Sequence, residues 1–224
     1  MKTIRNLIKI ALLSIITIVS NAQIKVAPIK DKGMGPYSQL IIRGAILING
    51  TGAPATGPVD IVIENNRITN IVVVGAEGAK INDAKRPKLA KDGKEIDANG
   101  MYALPGLIDM HAHIGGVEQG TPAEYVFKLW MAHGITTVRD VATFNGLNWV
   151  LNEKKRSADN KIIAPRIFAY TGFGQGAKKP IITRQDAIDW VDENAKNGAD
   201  GIKFFGASPE IMDAAIRENK KLGL

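Results

Sequence analysis

Cysteine is absent from all 224 residues. That excludes a disulfide framework, thiolate metal ligation and a cysteine nucleophile, and leaves histidine, carboxylates or less usual donors to hold any metal. Histidine is scarce too, with three in the chain. Neither a basic helix nor an aromatic–basic alternation occurs, which argues against nucleic acid as a partner. No apolar run reaches the roughly 20 residues that a retained membrane helix needs.

What is present begins with a targeting pattern. Lys2, Arg5 and Lys9 precede a short apolar run at residues 10–19. Ser20, Asn21 and Ala22 then offer small residues before a cut ahead of Gln23, the three-part pattern of a secretory signal peptide. Residues 1–22 therefore read as a signal that is removed on export to the periplasm or beyond, with no stable membrane anchor left. Without Lys2, Arg5 and Lys9, the 29 Lys and Arg against 22 Asp and Glu become 26 against 22, a net charge of +4. Several of the remaining lysines fall within 80–94, a polar stretch that reads as a solvated loop.

Residues 23–103 read as an extended polar arm followed by a small β module. A β-rich run at 40–48 ends in the turn signal Asn49-Gly50-Thr51-Gly52. Val59, Ile61 and Ile63 alternate with Asp60, Val62 and Glu64. Asn65-Asn66 suits a tight hairpin, because asparagine tolerates positive φ, and a strand at 68–74 returns. Residues 95–97 and 101–103, joined by Ala98-Asn99-Gly100, read as a second hairpin, giving an antiparallel module with no chemistry of its own.

From residue 104 the texture changes. After the Pro105-Gly106 turn, alternation puts Ile108, Met110, Ala112 and Ile114 on an apolar face suited to packing under helices. Leu107, Asp109, His111 and His113 share the other face. Two imidazoles two residues apart on a strand project the same way and can close on one cation. Asp109 could orient an imidazole or serve as a hydrogen-bonding strut.

Strand-then-helix units follow. Thr121-Pro122-Ala123-Glu124 predicts a capping box with proline at the first helical position. Val126, Leu129, Trp130 and His133 then form one helical stripe, ended by Gly134. Strands are expected at 135–141 and 166–170, with a weaker helix at 147–155 between them. Thr183-Arg184-Gln185-Asp186 caps a third helix carrying Ile188, Val191 and Ala195. A strand at 201–205 and a helix opened by Ser208-Pro209-Glu210 complete the fourth unit. Such repeats imply a parallel sheet with helical crossovers, and eight of them would close a barrel in about 250 residues.

In the fourth strand Ile202 and Phe204 share the apolar face, so Lys203 lies opposite. A lysine facing into a barrel is favoured as the neutral amine, which can add carbon dioxide and become a carbamate able to bridge two cations. An exposed lysine at a strand end fits the spacing equally well. His133, in the last turn of its helix, reads as a structural histidine near the helix C-terminal dipole. Gly172-Phe173-Gly174-Gln175-Gly176 lacks phosphate-loop spacing. Because it follows a barrel strand, Tyr170 and Gln175 are candidates to line a substrate pocket. Arg139 and Asp140 end the second strand on faces the pattern does not choose.

These residues resemble a known family. Leu104-Pro105-Gly106-Leu107-Ile108-Asp109-Met110-His111-Ala112-His113 is similar to the first-strand signature of the amidohydrolase superfamily, and Gly134-Ile135-Thr136-Thr137-Val138-Arg139-Asp140 to its second strand. Gly198-Ala199-Asp200-Gly201-Ile202-Lys203 resembles the lysine strand of the imidazolonepropionase-related, prolidase-like branch. The resemblance implies an α/β chain: residues 104–224 as the first half of a (β/α)8 metal-dependent hydrolase barrel, preceded by a small β-sandwich module. It implies that His111 and His113 bind the more buried metal, usually Zn2+, and that carboxylated Lys203 bridges to a second. It also implies hydrolysis of amide or dipeptide-like carbon–nitrogen bonds in small molecules by a metal-activated hydroxide.

The family completes its site with two further histidines and an aspartate from later strands. After Lys203 this sequence has no histidine. The expectation is therefore an N-terminal piece or a truncated product, inactive and poorly folded alone, with a homo-oligomer left open. Two other readings stand beside it: a non-catalytic exported binding protein on the same fold, and a hydrolase of phosphoesters or lactones.

Overall fold

The computed structural model describes residues 33–76, 78–142 and 144–224. The signal expected at 1–22 lies outside the described residues, as does the start of the arm.

Two sheets organise the described chain. In the first, β1 (Gln39–Leu47), β2 (Thr56–Glu64) and β3 (Arg67–Val73) form an antiparallel meander. The β2–β3 turn is made by Asn65 and Asn66, with φ of 47° and 62°. Two consecutive left-handed residues match the right-handed twist of the flanking strands.

The second hairpin of the sequence reading does not form. β4 (Lys94–Asp97) and β5 (Tyr102–Ala103) both run parallel to β1 along its other edge, so the sheet is mixed. The intervening residues jog instead of reversing. Asp97 Oδ1 accepts from the Asn99 N–H at 3.1 Å, and Gly100 adopts φ 73°. Ala98 N–H then donates to Arg43 O, and Ile46 N–H to Met101 O. The jog sits over a β1 irregularity at Gly44 (φ 72°), where a Cβ would lie 2.1 Å from Asn99 Oδ1. Only glycine admits both that backbone and that approach.

An ion cluster ties the 80–94 segment to this sheet. Buried Asp60 accepts from Arg43 Nη1 and Arg86 Nε, both at 3.0 Å, and from the Gly44 N–H at 2.8 Å. Burial pushes its pKa up, but the bonds from Arg86, Arg43 and Gly44 outweigh that and hold it below the usual carboxylate range. The segment is thus tethered through Arg86, a point the solvated-loop reading missed.

The second sheet is parallel and curled, in the order β6 (Leu107–Ala112), β7 (Ile135–Val141), β8 (Arg166–Gly172) and β9 (Gly201–Lys203). The crossovers carry α1 (Ala123–Ala132), α2 (Leu147–Ala158) and α3 (Arg184–Lys196), and α4 (Pro209–Lys221) follows β9. Ala112, Ile114, Val138, Ile167 and Ala169 pack against Phe127 of α1 and Val150 of α2. A second cluster joins Trp190 and Val191 of α3 to Ile211 and Ala215 of α4, with Ile202 and Phe204 against it.

Three local expectations are corrected. The capping box at Thr121 is not made. Residues 116–121 form a tight loop, with Gly116 and Thr121 exchanging backbone hydrogen bonds, and Glu124 pairs with Arg156 of α2. The buried stripe of α1 is centred on Phe127 and Trp130, while Leu129 lies exposed. Ile108 and Met110 are 61% and 54% exposed instead of packed under helices. β6 is an edge strand, and α1 packs over its C-terminal end only, at Ala112 and Ile114.

Candidate metal centre

Alternation along each parallel strand sends one set of side chains to the helices and the other to the inner face of the curl. Because Val138, Ile167, Ala169 and Ile202 pack toward helices, the inner face carries His111, Arg139, Tyr170, Gly201 and Lys203. The two faces of the second strand, undecided in the sequence, are thereby chosen.

β6 leaves regular register with β7 between Asp109 and Ala112. Such an irregularity frees backbone groups that need other partners. The His111 N–H donates to Asp109 Oδ1 at 2.8 Å, and the Met110 carbonyl accepts from Arg139 Nε at 2.8 Å. Asp109 thus acts on the backbone of the histidine segment. His111 and His113 project from the same face, ring centroids 5.7 Å apart and inclined at 69°. Both are exposed.

Lys203 is the last residue of β9 and pairs in register with Gly172. It is half-buried, with Nζ 6.0 Å from the Phe205 ring centroid. It occupies the same inner face as the histidines, at the opposite edge of the four-stranded curl.

Comparison with known proteins fits this arrangement. No family model matches the chain. Adenine deaminase 2 of Rhizobium etli is 33% identical over 114 residues, which are 44% of this chain and 19% of that protein. Adenine deaminase of Geobacillus kaustophilus is 33% identical over 113 residues, covering 44% and 18%. Among solved structures, a Xaa-Pro dipeptidase with methionine in its active site superposes with a TM-score of 0.61 at 24% identity, over 84% of this chain and 55% of that one. Molinate hydrolase gives 0.62 at 20% identity, over 84% and 52%.

The chain is similar to these deaminases over part of its length and shares the fold of these hydrolase structures. It spans about half the length of the solved structures it matches.

The two imidazoles are spaced as ligands of one shared divalent cation would be. Nitrogens about 2 Å from one tetrahedral ion would set the ring centroids roughly 5 Å apart, near the 5.7 Å found. Among the described residues no group of three or more His, Asp and Glu is gathered for a metal ion. The third donor on this face would be Lys203.

The other candidates fall around the pair. Tyr170 is half-buried, its ring 4.9 Å from Arg139 Cζ. It lies over Gly201, where a Cβ would approach Tyr170 Cε1 to 2.3 Å. Gln175 closes the turn after β8: its N–H donates to Gly172 O at 2.8 Å, and its Oε1 accepts from Gly172 N at 3.2 Å. His133 caps α1, its Nδ1 donating to Leu129 O at 2.8 Å.

Near the pair, Asn145 has no place in the sequence pattern, and Asp140 has its face left open there. Asn145 straps the loop that follows His113: its Nδ2 donates to Gly115 O at 2.8 Å, and its Oδ1 accepts from Glu118 N–H at 3.1 Å. Asp140 is fully buried on the helix side of β7. Burial pushes its carboxyl up to about 7, weakly opposed by the nearby Ile114 N–H. Neither carboxylate oxygen completes a hydrogen bond among the described residues. An exchange of loop contacts leaves no local sequence signal, whereas Val138 in the core would have placed Asp140 on the same side of the strand.

Proposed function

We propose that this chain carries the metal-holding part of a hydrolase that cleaves carbon–nitrogen bonds in small molecules. The observation that supports it is the His111–His113 pair on the inner face of a parallel curled sheet, with Lys203 on that same face.

In this reading His111 and His113 hold one divalent cation, zinc by preference for two nitrogen donors. Lys203, after its neutral amine adds carbon dioxide with loss of a proton, offers carboxylate oxygens to the same site. The bound cation supplies Lewis acidity that polarises the scissile group and makes water acidic near neutral pH. Asp109 and Arg139 hold the backbone of the histidine segment so that both rings stay aimed at one point. We further propose that residues 1–22 direct export, on the strength of the basic start and the short apolar run.

The substrate reading is an amide or dipeptide-like bond. A second reading, hydrolysis of an amino group from a purine-like ring, is favoured by the 33% identity to adenine deaminases. The two differ in the leaving group, an amine or ammonia. A non-catalytic binder on this fold would not depend on the histidines.

Metal content separates these. After equilibration with Zn2+ and dialysis, the chain is expected to retain metal, and His111→Ala to lose it. Equal retention by both would sink the metal reading. For the whole protein, proline release from Gly-Pro and ammonia release from adenine then divide the two substrate classes.

A further inference from the structure

We propose that Arg139 is a positioning residue for the histidine pair, acting through the backbone of β6 and braced by Tyr170. The inference rests on the metal reading for its use, but its geometry stands without a metal. The β6 irregularity leaves the Met110 carbonyl without a ladder partner, and Arg139 Nε takes it at 2.8 Å. Met110 directly precedes His111, so this bond fixes the peptide from which the first imidazole springs.

The guanidinium is itself held. Its centre lies 4.9 Å from the Tyr170 ring centroid, a cation–π distance at which a planar guanidinium is attracted to the ring face. Tyr170 in turn rests on bare Gly201, two residues before Lys203. Met110, Arg139, Tyr170 and Gly201 thus form one continuous row across β6, β7, β8 and β9. The row links the histidine strand to the lysine strand beneath the candidate site, so it sets both the ring geometry and the curl that separates the two edges. Lysine would replace only the donor, because it lacks the planar face that stacks on tyrosine. No ion pair to a carboxylate competes for Arg139 among the described residues.

The test uses Co2+ as a spectroscopic probe of the 224-residue chain. Arg139→Met is expected to weaken Co2+ binding about tenfold or more, as loss of outer supports of metal ligands does, and to change the visible ligand-field bands. Arg139→Lys, which keeps a donor for Met110, is expected to recover part of the lost affinity. In parallel, 15N spectra of metal-free protein should show His111 and His113 ring resonances displaced in Arg139→Met, with His133 unmoved. Should Arg139→Met lose its dispersed spectrum, Tyr170→Leu carries the same expectations. Co2+ affinity within twofold of wild type, a lysine variant as weak as the methionine one, or unmoved His111 and His113 rings would overturn the proposal. Wild-type protein that binds no Co2+ would defeat the metal reading alone, since the metal-free ring resonances still decide the role of Arg139.

Discussion

Lys154 Nζ meets both oxygens of Asp200, at 2.7 and 2.6 Å, and Asp200 Oδ2 also accepts the Ala169 N–H at 2.7 Å. One carboxylate therefore joins α2, β8 and the turn that enters β9. Asp200 stands three residues before Lys203, so this clamp fixes where the lysine strand starts.

Asp200→Asn keeps the shape but removes the charge. The pair is partly exposed, which limits its worth, while the charge-assisted bond to a backbone N–H adds more. The expected cost is about 1–2 kcal/mol in urea unfolding. Hydrogen exchange at 201–203 should accelerate before that of β1 and β2. Unchanged exchange there would show that β9 is held by other contacts.

Asp140 gives a pH signature. Its folded pKa of about 7 lies above the ordinary aspartate value of 3.8, so between these values the folded state holds a proton that the unfolded state has released. Stability from this group is thus complete below about pH 4, falls as pH rises to 7, and is flat above. From pH 5 to 8 the loss is about 3 kcal/mol, taking about 1.4 kcal/mol per pKa unit over the two units between pH 5 and 7. Asp140→Asn should flatten that slope in metal-free protein, as read from unfolding midpoints. A slope equal to wild type would mean the carboxyl is ionised in the fold.

The two capping-box sequences should separate cleanly. Thr183 and Asp186 make both reciprocal bonds at α3, so Thr183→Ala is expected to cost about 1 kcal/mol. Thr121 donates no such help to α1, and Thr121→Ala should change stability by much less. Thermal melts of the two variants check the contrast, and equal losses would contradict it.

That pair also shows what a sequence of this kind can reveal. Thr183 was legible because its partners lie within four residues. Thr121 was misread because its backbone is committed to a loop with Gly116, a choice the motif does not contain. The same limit explains β4 and β5. Alternation marks both as strands, but whether neighbours run parallel depends on β1, more than fifty residues away. His111 and His113 share a face by spacing alone, and the structure has them so. Arg139 was opaque, because its role depends on an irregularity in the neighbouring strand that leaves Met110 in need of a donor.

The bare margin of β6 has its own outcome. Ile108 and Met110, exposed on a strand that ends its sheet among the described residues, make an adhesive flank to which any extended segment can zip. At high protein concentration the isolated chain should therefore gather into clusters, with turbidity rising as more chain is added.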